Sequence, residues 1–155
     1  MARQLLLVVV DIVIVMTVSI GAGAWAPRWH GAWLRRDIVP LTLWPWESPA
    51  FFRRIGVTGL ARRLPELGST FGGESKSRIP GRTPQDLEAY LVEVRRAEWV
   101  HWISVASALL LFAFNPWWLA LAFVVAVALG NLPFILVLRH NRVRLTRILD
   151  RNGGR

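Results

Sequence analysis

The apolar residues of this chain are gathered into three long runs, Leu5 to Ala24, Trp99 to Phe114 and Trp117 to Leu138, with Asn115-Pro116 breaking the last two apart. A half-buried soluble element repeats its apolar residues at a helical or strand period, whereas uninterrupted runs of this length mark segments solvated by lipid. The sequence therefore predicts an all-α integral membrane protein, residues 1–155 forming one membrane domain with about three transmembrane helices at 5–24, 99–114 and 117–138. An amphipathic, interfacial cytoplasmic region is expected over 25–98 and a basic tail over 139–155. The middle run is short: at ~1.5 Å per residue it spans ~24 Å. It must extend through the turn holding Glu98, thin the bilayer, or lie partly among other helices. A content of 54% hydrophobic residues with nine tryptophans fits no small soluble domain.

Charge sets the expected orientation. Twelve Lys or Arg residues lie between Trp25 and Glu98 and six follow Leu138, whereas a single arginine precedes Leu5. The positive-inside rule places the N-terminus outside, the middle region and the C-terminus in the cytoplasm, and the Asn115-Pro116 turn outside. The net charge of +9 then marks flanks that meet anionic headgroups, not a nucleic-acid surface. Absence of cysteine excludes disulfides, a thiolate nucleophile and a thiolate metal site. A competing reading makes the N-terminus a cleavable signal ending at Ala22-Gly23-Ala24, but Asp11 is out of place in a signal core. Asp11 instead predicts a contact with an arginine or a backbone group, at a depth different from that of His101.

Within the middle region, Leu41 to Phe52 is too short and proline-broken to cross a bilayer, and its Trp44-Pro45-Trp46 aromatics suit the headgroup layer. Arg62 to Arg82 is polar and glycine-rich and reads as an irregular loop; Lys76 lacks the spacing of a P-loop lysine. Helix-start signals then coincide, with Thr83 as cap, Pro84 at the first helical position and Asp86 completing a capping box. The helix is expected to run through Phe114.

That helix carries the costliest residues of the chain. Arg96-Ala97-Glu98-Trp99-Val100-His101-Trp102 drives an acid and a base into the start of an apolar run, a placement that needs a functional or structural reason. At 100° per residue Leu87, Tyr90, Leu91 and Val94 form one stripe that continues through Glu98, His101 and Val105, with Arg96 on the opposite side. One interpretation is a Glu-His pair that only ties two helices together; the other is a reactive site. In a hairpin about Asn115-Pro116, Asn131 lies at the same depth as His101, so two helices would contribute to one polar site. Pro133 frees a backbone carbonyl and is expected to kink the third run near Asn131, which either heals that kink or serves the site. Further along, Arg142 interrupts the face formed by Ile135, Leu138, Leu145 and Leu149, which suggests anion binding. Arg139, Arg144 and Arg147 are by default orientation signals.

The chain resembles the glycosyl-4,4'-diaponeurosporenoate acyltransferase family, small bacterial membrane proteins, over roughly Trp44 to Leu149. The residues that carry the resemblance are Trp46-Glu47, Leu64-Pro65-Glu66 with Phe71-Gly72-Gly73 and Lys76, Arg96-Ala97-Glu98 with His101-Trp102, Asn115-Pro116, Asn131-Leu132-Pro133, and Arg139-His140-Asn141-Arg142 followed by Arg144. It departs from the family pattern at Leu60-Ala61, Leu138 and His140. The resemblance implies a multi-pass protein of the bacterial inner membrane that moves a fatty acyl chain from a thioester or lipid donor to a hydroxyl of a glycosylated lipid. His101 would be the base, Glu98 would orient the imidazole and Asn131 would donate to the oxyanion. Arg139, Asn141, Arg142, Arg144, Lys76 and Trp102 would contact substrate, with acyl-CoA or another acyl donor as substrate and neither cofactor nor metal implied. A homo-oligomer or a membrane protein partner would help to enclose so small a site, and the alternative to an enzyme is a non-catalytic membrane partner or lipid-binding subunit.

Overall fold

The computed structural model describes residues 2–61, 63 and 83–153. The expected glycine-rich loop, Leu64-Pro65-Glu66 and Lys76 lie outside the described residues. The helices are α1 (Ala2–Trp25), α2 (Gly31–Leu34), α3 (Pro49–Arg54), α4 (Val57–Ala61), α5 (Pro84–Ser107) and α6 (Trp117–Gly153), with 3₁₀ turns at Ala26–Arg28 and Ala108–Ala113. Among the described residues there is no strand.

Two helices, α1 and α6, are long and apolar enough to cross a membrane, and only 11% and 17% of their apolar windows are buried in the fold. Helices of a soluble core would hide those faces. Here Leu5, Val9, Met16 and Ile20 on α1 and Trp117, Leu121, Val125 and Leu129 on α6 all point outward, as a membrane protein requires. The 37 residues of α6 correspond to ~55 Å at 1.5 Å per residue, so the helix continues well past its apolar half into the arginine-bearing tail.

Thr83 caps α5 as its sequence predicts: its hydroxyl accepts from the Asp86 amide at 3.2 Å, and the Asp86 carboxylate accepts from the Thr83 amide at 3.3 Å. Leu87, Tyr90, Leu91, Val94 and Glu98 form the buried face. Two expectations for this helix need revision. Arg96 turns to the half-buried edge, pairing with Glu93 and reaching the Trp29 carbonyl at 3.4 Å, while Arg95 takes the interior. The α-helix also stops at Ser107 and continues as a 3₁₀ turn to Ala113, not as an α-helix through Phe114. The Ser104 hydroxyl donates to the Val100 carbonyl at 3.0 Å and that of Ser107 to Ser104 at 2.7 Å; such back-bonding competes with the backbone ladder.

α5 and α6 form a hairpin about Asn115-Pro116. At its open end Leu87, Leu91 and Val94 pack with Leu138 and Leu145; at its closed end Ala108, Leu111 and Ala120 pack with Val15 of α1. α1 runs antiparallel to α5, with Asp11 at the turn and Gly23 beside Val100. The partner of buried Asp11 is the Asn115 carboxamide, whose nitrogen donates at 2.8 Å, not an arginine or a backbone group. Short α3 and α4 cover another face of α6, where Phe52 and Val57 meet Val137 and Val143.

Candidate active site in the α5–α6 hairpin

Where the exposed apolar half of α6 ends, three arginines and three carboxylates interlock. Glu98 is fully buried; one oxygen accepts from Arg142 at 2.6 Å and the other from Arg139 at 2.8 Å. The Trp102 indole also donates to Glu98, at 3.4 Å. Arg139 grips Glu47 through two hydrogen bonds of 2.5 Å and donates to the carbonyls of Thr42 at 2.7 Å and Pro40 at 3.2 Å. Asp37 bridges Arg142 at 2.7 Å and Arg95 at 2.8 Å. Three cations therefore face three anions, which is what makes burial of so much charge tolerable. The network fastens the 37–47 segment across both helices of the hairpin.

About one turn along α5 from Glu98 toward the hairpin turn stands the second element of the site. His101 Nδ1 lies 2.8 Å from Asn131 Oδ1, and the imidazole stacks on Phe134 with centroids 5.0 Å apart and planes 13° from parallel. The Asn131 carboxamide nitrogen donates to the Val127 carbonyl at 2.8 Å, which turns its oxygen toward the ring. An acceptor at Nδ1 selects the tautomer with its proton on Nδ1 and its lone pair on Nε2. Asn131 does not heal the proline interruption. The carbonyl deprived of its donor by Pro133 is that of Leu129, four residues back, whereas Asn131 bonds Val127; α6 stays helical through Pro133.

The structure thus brings His101, Asn131, Glu98, Arg139, Arg142 and Trp102 into one layered site, but it redistributes their contacts. The orienting acceptor at the imidazole is Asn131, the place that the sequence gives to Glu98. Both oxygens of Glu98 serve guanidinium groups instead. Arg139 and Arg142, expected at a donor phosphate, are buried and engaged by carboxylates, because an unpaired guanidinium at this depth would be costly. Asn141 is half-buried and Arg144 is exposed on another side of α6. His140 is buried against Phe52, ring centroids 5.3 Å apart, on the α3 side. Sequence reasoning missed Asp37, Arg95 and Phe134. Arg95 was accessible to it, since three residues before Glu98 on a helix is a neighbouring position.

The family model described as CrtO, glycosyl-4,4'-diaponeurosporenoate acyltransferase, matches residues 31–151. That span contains α5, α6 as far as Arg151, and every residue of the ion network. The chain belongs to this family. Two relatives bearing the same name, from Staphylococcus aureus strains USA300 and MRSA252, are each 37% identical over 73 residues, covering 45% of this chain and 44% of the relative. The chain thus matches less than half the length of these curated relatives. No solved structure matches it.

Proposed function

We propose that this protein transfers a fatty acyl group from a thioester donor to a hydroxyl of a glycosylated lipid within a bacterial inner membrane. The observation that supports the reading best is the His101–Asn131 pair, set between an outward-facing apolar belt and a charge-balanced floor, in a member of a family named for acyl transfer. An amphiphilic acceptor can keep its chains in lipid and bring its sugar to that depth.

In this mechanism His101 Nε2 takes the proton of the acceptor hydroxyl, and the oxygen attacks the thioester carbonyl. Collapse of the tetrahedral intermediate breaks the carbon–sulfur bond, and the departing thiolate is protonated by the imidazolium. Asn131 is a positioning residue that holds Nδ1–H; its second amide hydrogen is a candidate donor to the oxyanion. Glu98, Arg139 and Arg142, charge-balanced together with Asp37, Glu47 and Arg95, form the floor of the site. Arg139 and Arg142 can reach a donor phosphate only by exchanging a carboxylate for it, which gives donor binding a built-in competitor. The chain has no cysteine and its sequence contains no nucleophilic serine elbow, so direct transfer is favoured over an acyl-enzyme. The positive-inside pattern supports three spans with the N-terminus outside, the third being the α5 end with its 3₁₀ extension.

The test is acyl transfer by purified wild type and His101→Ala in lipid nanodiscs, with a glycosylated lipid acceptor and a radiolabelled acyl-CoA. Removing a general base should lower turnover ~10²–10⁴-fold. Equal turnover in the two proteins would refute the assignment.

A further inference from the structure

Three more arginines of α6 lie outside the network just described. Arg144, Arg147 and Arg151 repeat at helical spacing along an exposed strip and, with Ile148 and Pro49 at the start of α3, line an open groove of about 210 Å³. No carboxylate pairs with any of the three among the described residues, in contrast to Arg95, Arg139 and Arg142. Arg53 on α3, also exposed, adds to the positive charge of this side. Cations left unpaired along one groove present a binding field for an anion.

The walls indicate which anion. Pro49 and Ile148 line the groove together with the three arginines, a combination of apolar and cationic side chains suited to an amphiphile and not to a fully hydrated nucleotide. The volume is small for a coenzyme but sufficient for a headgroup. Exposed Trp44 and Trp46 on the neighbouring segment, with Trp46 packed edge-on against Phe51 of α3 at 4.8 Å, are side chains that settle at headgroup level. Arg144 follows the end of the third apolar run by six residues, ~9 Å along the helix, which keeps it within reach of that layer.

We infer that the groove between α3 and the exposed arginine strip of α6 binds the phosphate of an anionic phospholipid, independently of the acyl-transfer site on the α5 side of the hairpin. The lipid would clamp α3 to α6 from the membrane surface. Its phosphodiester would accept from Arg144 and Arg147, while its glycerol region lies on Pro49 and Ile148.

The experiment titrates the full chain in detergent with dioleoyl phosphatidylglycerol, dioleoyl phosphatidylcholine or coenzyme A and follows tryptophan fluorescence. The wild type should bind phosphatidylglycerol in preference to the other two. The triple variant Arg144→Ala, Arg147→Ala, Arg151→Ala should lose about tenfold or more of that affinity. A triple variant that removes the same charge elsewhere, Arg28→Ala, Arg35→Ala, Arg36→Ala, should stay within about twofold of wild type. Unchanged binding in the first variant, or equal loss in both, would overturn a localised site. Tighter binding of coenzyme A that is lost in the first variant would overturn the lipid assignment.

Discussion

Asn131 Oδ1 lies 2.8 Å from His101 Nδ1, joining across the hairpin two helices whose residues stand 30 positions apart in sequence. The contact fixes an imidazole tautomer by means of a neutral acceptor. A carboxylate in that place would stabilise the imidazolium and weaken Nε2 as an acceptor-side base at low pH. The neutral carboxamide orients the ring without setting a charge beside it.

That relationship predicts the behaviour of Asn131→Asp. A carboxylate at Nδ1 favours the charged ring, so the acid limb of the pH–rate profile should move to higher pH relative to wild type. Asn131→Leu should lower turnover by ~10-fold or more with little change in donor KM, since orientation contributes to the reacting geometry and not to donor binding. A pH–rate profile for each variant checks both statements; superimposable profiles for wild type and Asn131→Asp would remove the positioning role.

The ion network predicts a stability effect that catalytic assignments do not. Glu98→Gln or Arg142→Ala removes one partner of a buried, charge-balanced set, and such a break typically costs ~3–5 kcal/mol. Thermal unfolding in detergent should show a large drop for each single variant. The double variant should lose less than the sum of the two, because the surviving charge is no longer orphaned. Additive losses would mean that the two side chains are not coupled in the folded protein.

At the other end of the hairpin, Asp11 and Asn115 tie α1 to the turn. Asp11 Oδ2 and Asn115 Oδ1 are both buried without a hydrogen-bond partner. Asp11→Asn keeps a carbonyl oxygen to accept from the Asn115 carboxamide and should therefore preserve stability. Asp11→Ala leaves the Asn115 donor unsatisfied and should cost ~1–3 kcal/mol. Thermal unfolding of the two variants checks the prediction, and equal destabilisation would contradict it.

A good part of this architecture was legible in the residues. The apolar runs gave α1 and α6, the Thr83-Pro84-Asp86 signal gave the start of α5, and equal distance from Asn115-Pro116 paired His101 with Asn131. The destination of Glu98 was not legible. Helical spacing places Glu98 and His101 on one face, but which partner takes a carboxylate depends on side chains arriving from elsewhere in the chain. Asp37 and Glu47 come from an irregular segment whose path no period encodes, and Arg139 lies outside the stripe that singled out Arg142. The 3₁₀ end of α5 was hidden for a similar reason, because Ser104 and Ser107 act through local back-bonding that an apolar count ignores.

The proposed topology is open to a direct check because the chain has no cysteine, so each introduced thiol is the sole target for labelling. Arg36→Cys and Asn152→Cys should resist a membrane-impermeant maleimide in intact cells and react after permeabilisation. Phe114→Cys should react in intact cells. The reverse pattern would invert the orientation, and labelling of Phe114→Cys on the same side as Asn152→Cys would exclude α6 as a span.

The most direct test of acyl transfer is comparative lipid mass spectrometry of a native-type host with the gene deleted, restored, or restored as His101→Ala at matched protein abundance. The account predicts a glycolipid heavier by one fatty acyl group only in the strain restored with the wild-type gene, with the unacylated acceptor accumulating in the other two. Identical lipid profiles in all three strains, with the acceptor present, would contradict it and leave a non-catalytic membrane partner as the better reading of the same polar face.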